Sequence, residues 1–255
     1  MGNELKSFNN LLGISKNSEQ NTQIENSNTL NNNDVNDLNE DEIFLIKGFK
    51  HHYILTLANM INKNIILLGD SKIGKTKIFN IIFEKENLND NNENNNDKSN
   101  NNNNSNQNQN YAYFEEKNFI IDGLEVNINI WDTPGEESHK EANKHFIKDC
   151  IINYLCFHVN SPKSFENIKN YYIKIVKEIN GDNTFIVLVG IKNEIFDDND
   201  NKDYIPINMI KKFAENYNIL FYSVSLNDSN SIKYLFHDSI KKYALFHAKL
   251  TFQKK

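Results

Sequence analysis

The sequence predicts an α/β fold in which a mostly parallel sheet carries helices on both faces. Apolar segments of strand length alternate along the chain with amphipathic segments of helical period, which is typical of βα units joined by right-handed crossovers. A glycine-containing loop at residues 69–76 joins the first strand to a helix, and Asp122-Gly123 is a strong hairpin signal. Ligands of such sheets bind at the carboxyl ends of the strands.

The first strand is predicted from a continuous apolar run at residues 64–69, which suits a parallel strand buried on both faces. Around the hairpin, the second of the two strands alternates apolar and polar residues, as a half-buried strand does. The other predicted strands are 113–121, 124–131, 151–159, 184–190 and 219–224. The predicted helices are 75–84, 164–179, 206–217 and 231–250.

Long asparagine runs and a hydrophobic fraction of only 38% indicate that much of the chain lies outside a packed core. We expect residues 1–40 to be a disordered Asn-rich tail, and residues 87–110 to be a disordered insertion within one domain that spans 63–250. Residues 41–62 are predicted to form an amphipathic helical extension, because apolar side chains recur there at spacings of three and four. This helix would pack on the domain or cap a sheet edge, or it would lie on a membrane surface.

Charge and cysteine content exclude several functions. A net charge of −6 argues against nucleic-acid binding, which needs clustered lysine or arginine. The two cysteines, Cys150 and Cys156, lie in an apolar run and support neither a disulfide framework nor a zinc site. No apolar run is long enough to span a bilayer, and no signal-peptide core is apparent. We therefore expect a cytoplasmic monomer that associates with endomembranes only peripherally.

The loop at residues 69–76 has the sequence Gly-Asp-Ser-Lys-Ile-Gly-Lys-Thr, which matches G-x-x-x-x-G-K-[S/T] at a strand-to-helix junction. We call it the phosphate loop, because its backbone N–H groups and the following helix N-terminus form a concave anion site. Lys75 would add a positive charge for the phosphates, and Thr76 a hydroxyl for Mg²⁺. The candidate nucleotide-binding residues here are Asp70, Ser71, Lys72, Ile73, Gly74, Lys75, Thr76 and Lys77.

A magnesium site also needs an acidic residue at the end of a neighbouring strand, and Asp132 occupies such a position. Three residues later, Gly135 would present its backbone N–H to a terminal phosphate. An aspartate that ends a strand is more often a capping or turn residue. Its pairing with the phosphate loop favours Asp132 and Thr76 as metal ligands.

These motifs resemble the Ras superfamily of small GTPases, and the Rab branch most closely, over about residues 64–250. The resemblance rests on the phosphate loop, on Asp122-Gly123 ahead of Trp-Asp-Thr-Pro-Gly-Glu-Glu at 131–137, on Ser164-Phe165, on residues 188–190 and on Ser225. It implies a three-layer phosphate-loop NTPase fold with a six-stranded sheet, and GTP or GDP with Mg²⁺ as ligands. It further implies a switch in vesicle traffic, with effector and regulator proteins as partners.

Two departures from the family pattern concern hydrolysis. The family's magnesium-binding threonine of the first switch falls in register on Gln109, and its water-orienting glutamine falls on Glu136. A carboxylate at that position repels developing phosphate charge by on the order of 4 kcal/mol at about 4 Å and an effective dielectric near 20. Glu136 and Lys75 are the candidate catalytic residues, and we expect slow hydrolysis unless Glu136 serves as a base.

The residues that recognise the base also depart from the family pattern. The family's Asn-Lys-x-Asp motif is here Ile191-Lys192-Asn193-Glu194, so Ile191 has no hydrogen-bonding group. We expect Lys192 to lie along the purine face and Glu194 to accept from the guanine edge. At Ser225 and Leu226, where the family has Ser-Ala-Lys, the Leu226 backbone N–H would still reach the base.

The alternatives to a GTP-dependent switch are a degenerate GTPase-like scaffold and another phosphate-loop enzyme, such as a kinase or an ATPase. The chain contains no arginine, so it cannot supply an arginine finger in cis, which weighs against the kinase. Because the last cysteine is Cys156, we expect no C-terminal prenylation. Met1-Gly2-Asn3 begins like a myristoylation signal, but Lys6 stands where that signal has serine or threonine.

Overall fold

A computed structural model of the chain describes residues 40–85, 111–192 and 204–252, with side chains from residue 47 onward. Residues 1–39 of the predicted tail, the whole predicted insertion with Gln109, and the Asn193-Glu194 pair lie outside the described residues. The strands are β1 Lys63–Leu68, β2 Tyr113–Ile121, β3 Leu124–Asp132, β4 Cys150–His158, β5 Ile186–Lys192 and β6 Leu220–Ser225. The α-helices are α1 Glu40–Ala58, α2 Lys75–Ile82, α3 Lys140–Ile147, α4 Pro162–Asn167, α5 Ile173–Asn180, α6 Ile207–Tyr217 and α7 Ser229–Phe252.

The six strands form one sheet in the order β2-β3-β1-β4-β5-β6. Strand β2 pairs antiparallel with β3, and every other pairing is parallel. Strands β1, β4 and β5 are almost wholly buried, as their continuous apolar runs predict, whereas the edge strand β2 alternates exposed and half-buried residues over most of its length. The predicted α/β fold with a six-stranded, mostly parallel sheet is confirmed.

Helices cover both faces of the sheet. On one face, α4 packs on β4, and a buried cluster that includes Phe157 of β4, Phe165 of α4 and Val176 of α5 joins these elements. On the other face, α7 packs on α2, and Phe236 of α7 lies against Tyr154 of β4 with ring centroids 5.1 Å apart. These layers leave the carboxyl ends of the parallel strands at one edge, where the phosphate loop emerges from β1.

Two local features were not predicted. Helix α3 has only eight residues, few of them apolar, and a 3₁₀ turn at Glu137–His139 precedes it. The predicted helix at 164–179 is interrupted by a π-helical turn at Ile168–Tyr172. A π turn brings residues five apart closer to one face of the helix. Here it lets Asn167 and Tyr172 reach the same carboxylate, that of Asp70.

The part of helix α1 from His51 onward, together with the short segment that follows it, packs against neighbouring elements. Leu57 and Met60 are buried, and the Met60 carbonyl accepts a hydrogen bond from the Asn127 amide of β3 at 3.0 Å. The Tyr53 hydroxyl donates to Asp122 in the β2–β3 turn at 2.8 Å. Across the described ranges, no helix has both the length and the apolar character needed to cross a membrane.

Candidate functional site

The phosphate loop connects the end of β1 to the start of α2 and approaches the neighbouring strand β4 very closely. Gly69 has φ +147°, and a Cβ built there would lie 2.2 Å from the Cys156 carbonyl oxygen. A side chain is therefore excluded at Gly69. Lys72 adopts φ +62° although it is not glycine, which indicates a loop held in a strained conformation by its surroundings.

Lys75 is buried within this loop, with 5% of its surface exposed. Its Nζ donates to the carbonyl oxygens of Gly69, at 2.8 Å, and Asp70, at 2.6 Å. Burial lowers the pKa of Lys75, while its electrostatic interactions with Cys156 and Asp132 oppose that shift. A desolvated ammonium that donates to neutral carbonyls is stabilised by an anion, and phosphate supplies one.

Asp132 lies beside this lysine because β3 runs parallel to β1 and ends at that residue, which pairs with Leu67. The carboxylate is 4% exposed, and burial raises its pKa against the opposing effects of a hydrogen bond from Thr76 and the charge of Lys75. Its Oδ1 atom is buried, and no described residue donates a hydrogen bond to it. A buried carboxylate with an unused oxygen beside a hydroxyl fits the oxygen ligands of Mg²⁺.

Among the described residues, no group of three or more His, Cys, Asp or Glu side chains could hold a metal ion. Thr76 and Asp132 alone are consistent with Mg²⁺, which proteins hold through one or two carboxylates together with substrate phosphates and waters. The two predicted metal ligands therefore fit a magnesium ion whose remaining ligands would be phosphate oxygens and waters.

The segment after β3 is folded onto the phosphate loop. A Cβ built on Gly135 would lie 2.3 Å from the Ser71 nitrogen, so only glycine permits this contact. The Ser71 hydroxyl donates to Glu136 Oε1 at 2.7 Å. That hydrogen bond, more than the attraction of Lys75, holds the pKa of Glu136 below its usual value, although partial burial acts in the opposite direction.

A cavity of about 430 Å³ lies between these two segments. The predicted residues that line it are Ser71, Lys72, Gly74, Lys75, Thr76, Lys77, Asp132, Gly135 and Glu136. Tyr111 and Tyr113 also line it, and the sequence analysis did not identify them. Their only signal in the sequence is a pair of tyrosines just before and at the start of β2. Tyrosine is common in strands, so the pair does not by itself indicate a binding site.

Two predicted loop residues direct their side chains away from this cavity. The Asp70 carboxylate accepts hydrogen bonds from Asn167 Nδ2 at 2.7 Å and from the Tyr172 hydroxyl at 3.3 Å. Asn167 directly precedes the π turn, and Tyr172 is its last residue. Ile73 is 6% exposed, and its side chain fills the space beside Gly69. Asp70 and Ile73 thus support the loop with their side chains, and only their backbone groups remain available to an anion.

The predicted base-recognition residues form an apolar contact with the loop. Ile191 is fully buried, and its Cγ2 lies 3.5 Å from a Cβ built on Gly74. Leu226 Cδ1 lies 3.0 Å from the same point, while the Leu226 amide donates to the Lys192 carbonyl at 3.4 Å. This long hydrogen bond competes with the base contact predicted for that amide. Lys192 is exposed, and the Ser225 amide donates to Ser231 Oγ at 3.2 Å.

A strand, a tight glycine loop with a buried lysine, and an adjacent aspartate–threonine pair define a phosphate-loop nucleotide-binding protein. Comparison with known proteins agrees with this class of protein. The model of the Ras family matches residues 64–244. The chain belongs to the Ras family, and its similarity to Rab-named proteins places it close to the Rab branch.

Three relatives show the extent of that similarity. Ras-related protein RABG1 of Arabidopsis thaliana is 27% identical over 186 residues, which cover 70% of this chain and 81% of RABG1. Ras-related protein Rab-11B of Dictyostelium discoideum is 24% identical over 189 residues, or 72% of this chain and 76% of Rab-11B. Ras-related protein RabQ of Dictyostelium discoideum is 27% identical over 129 residues, or 51% of this chain and 61% of RabQ.

Proposed function

We propose that this chain is a guanine-nucleotide-dependent switch of intracellular membrane traffic, with slow intrinsic GTP hydrolysis. The observation that carries this proposal is the desolvated Lys75 ammonium beside the Thr76–Asp132 pair, because this arrangement lacks only an anion and a hard cation. Family membership supplies the guanine nucleotide, and the Rab-named relatives supply the link to membrane traffic.

In this proposal the backbone amides of the phosphate loop and the N-terminus of α2 bind the phosphates, and Lys75 neutralises part of their charge. Thr76 and Asp132 hold Mg²⁺, which neutralises charge that develops on the phosphate oxygens during transfer. Glu136 stands where a neutral amide would orient water, and its charge opposes the transition state. Hydrolysis is slow for that reason, unless a partner protein contributes a cation.

Base contacts come from the loops after β5 and β6. Lys192 lays its aliphatic stem along the purine, Glu194 accepts from the guanine edge, and the amide of Leu226 exchanges its long hydrogen bond with the Lys192 carbonyl for one with the base. Ser225 positions that turn. The resulting preference for guanine is weak because Ile191 contributes no hydrogen bond.

The partners we propose are effector and regulator proteins that bind beside the cavity. Phe114 on the edge strand β2 is 48% exposed and stacks on Trp131, with ring centroids 4.6 Å apart. Trp131 in turn lies 5.0 Å from the ring of Phe146 in α3. Rigid aromatic rings beside a nucleotide site suit a protein partner. We further propose that the chain acts as a monomer that associates peripherally with cytoplasmic faces of endomembranes.

A second candidate is a GTPase-like scaffold that binds nucleotide weakly or not at all. The packing of Ile191 and Leu226 on Gly74 favours it, because an apolar contact replaces groups that would bond the base and stabilises the loop without a nucleotide. In a scaffold, the aromatic surface around Phe114 would bind its partner whatever the nucleotide.

The two candidates are separated by the nucleotide content of the purified chain. A switch retains close to one equivalent of guanine nucleotide after gentle purification, and its melting temperature falls when EDTA removes Mg²⁺. Chromatography of the released nucleotide and a thermal melt measure both quantities. Sub-stoichiometric nucleotide, together with a melting temperature that Mg²⁺ does not change, would establish the scaffold instead.

A further inference from the structure

The carboxylate of Glu136 lies at one end of the cavity, against the phosphate loop. Its Oε1 atom accepts the Ser71 hydroxyl hydrogen bond at 2.7 Å, and both residues line the cavity. Because Gly135 immediately precedes it, the Glu136 backbone enters the site at the point where the loop and this segment touch. A negative charge is therefore fixed beside the Ser71 end of the anion site.

Further contacts hold this segment in place. The Thr133 hydroxyl donates to the Leu67 carbonyl at 2.7 Å, and Asn143 Nδ2 of α3 donates to the Pro134 carbonyl at 2.7 Å. Both contacts are buried and precede Gly135, whereas the Ser71–Glu136 hydrogen bond follows it. The segment from Thr133 to Glu136 is thus held against the phosphate loop on both sides of Gly135, an arrangement that we call the closed position.

The charges in the site favour this position of the 133–136 segment when no terminal phosphate of a nucleoside triphosphate is bound. Lys75 and Glu136 attract one another across the cavity, each favouring the charged form of the other. Glu136 thereby adds to the negative charge that Asp132 already presents to the buried ammonium. The terminal phosphate of a triphosphate, placed at the Ser71 end of the site, would meet the Glu136 carboxylate and the Gly135 backbone. Lys75 would then attract two anions, Glu136 and this phosphate, at the same place.

We infer that Glu136 makes the site prefer a nucleoside diphosphate over the corresponding triphosphate, because its carboxylate on Ser71 takes the place of the terminal phosphate. This inference rests on the proposed nucleotide-binding function and deepens it. A diphosphate binds with the 133–136 segment closed. A triphosphate must break the Ser71–Glu136 hydrogen bond and displace the carboxylate, which gives the chain a resting state with diphosphate bound.

The test compares dissociation constants for GDP and for the slowly hydrolysed β,γ-imido analogue of GTP, both with Mg²⁺ and at one pH. In the natural protein we expect GDP to bind about tenfold more tightly or better. Glu136→Gln removes the charge but keeps an oxygen that accepts from Ser71, so we expect the ratio to shift by about tenfold toward the triphosphate analogue. Ser71→Ala releases the carboxylate and shifts the ratio the same way.

Glu137→Gln is the matched control, because its side chain is 85% exposed and pairs with Lys140 outside the cavity. The ratio should not change in this variant. If nucleotides bind but Glu136→Gln leaves the ratio within about twofold of the natural protein, the inference is overturned while the proposed function stands. If the natural protein binds neither nucleotide, the proposed function is overturned and the inference with it.

Discussion

Lys75 interacts electrostatically with two acidic side chains that line the cavity. Lys75 is desolvated, Asp132 is buried beside it, and Glu136 follows Asp132 in the segment that packs on the phosphate loop. Burial lowers the pKa of Lys75 and raises the pKa of Asp132, while their opposite charges resist both changes. Such coupled shifts are typical of sites where a charged ligand completes the electrostatics.

Lys75→Ala should abolish detectable nucleotide binding while leaving the fold intact. The substitution removes the cation that faces the phosphates, and the loop keeps its backbone contacts. Isothermal calorimetry with GDP and Mg²⁺ measures the loss, and circular dichroism checks the fold. The control is Lys211→Ala, which removes an exposed lysine of α6. Unchanged affinity in Lys75→Ala would refute the assignment of the phosphate loop.

In the proposed function, Glu136 also limits the rate of hydrolysis. We expect the natural protein to hydrolyse GTP at or below about 10⁻⁴ s⁻¹, the scale of unassisted small GTPases, because the carboxylate opposes charge on the transferred phosphoryl group. Glu136→Gln should raise the rate only modestly, since Gln109 lacks a hydroxyl for Mg²⁺. Single-turnover measurements at saturating GTP test this. A much faster rate in the natural protein would identify Glu136 as a working base.

At the scale of elements, the β2–β3 turn is tied to two helices through one carboxylate. Asp122 accepts from the Tyr53 hydroxyl of α1 and from Lys241 Nζ of α7, each at 2.8 Å. Burial tends to raise the pKa of Asp122, but these two hydrogen bonds outweigh it and hold the pKa below the usual value. The turn that the Asp122-Gly123 pair predicts is therefore also a junction between chain segments distant in sequence.

Tyr53→Phe should destabilise the domain by about 1 kcal/mol, because it removes one hydrogen bond to a charged acceptor that keeps its lysine partner. For a domain of this size, that corresponds to a fall of about 2–4 °C in melting temperature. Thermal melts should compare it with Tyr234→Phe, whose side chain is 60% exposed. Equal melting temperatures for the two variants would show that the Tyr53–Asp122 hydrogen bond does not stabilise the domain.

In the proposed function, base selectivity is a property of the whole molecule, because it joins residues that follow β1, β5 and β6. The phosphate contacts do not sense the base, so the chain should bind triphosphates of several bases, with a residual preference for GTP over ATP. Ile191→Asn combined with Glu194→Asp restores the polar groups of the family pattern. We expect this double substitution to raise GTP affinity by about 10²- to 10³-fold.

Competition of GTP, ATP and XTP against a fluorescent nucleotide measures this change. The single substitutions serve as controls, since Ile191→Asn alone places a polar group in a fully buried site. If GTP affinity is unchanged in the double variant, or if the natural protein already discriminates GTP from ATP by more than about 10⁵-fold, another loop recognises the base.

Local patterns in the sequence were enough to predict the architecture. Strand β2 was predicted at its observed bounds, and the other strands to within two residues, because alternation and apolar runs report directly on burial in a sheet. Helix α3 escaped prediction because it is only eight residues long and mostly polar. The phosphate loop was recognisable because its chemistry depends on residues that are contiguous in the chain.

What the sequence by itself determined is the layered sheet, the phosphate loop and the acidic residue that faces it. Only the tertiary structure decided that Asp70 supports the loop from behind, that Ile191 and Leu226 pack on Gly74, and that Glu136 bonds to Ser71. The physical reason is that these contacts join residues 65 to 152 positions apart. Their geometry depends on how the strands place loop ends together, and no local pattern records it.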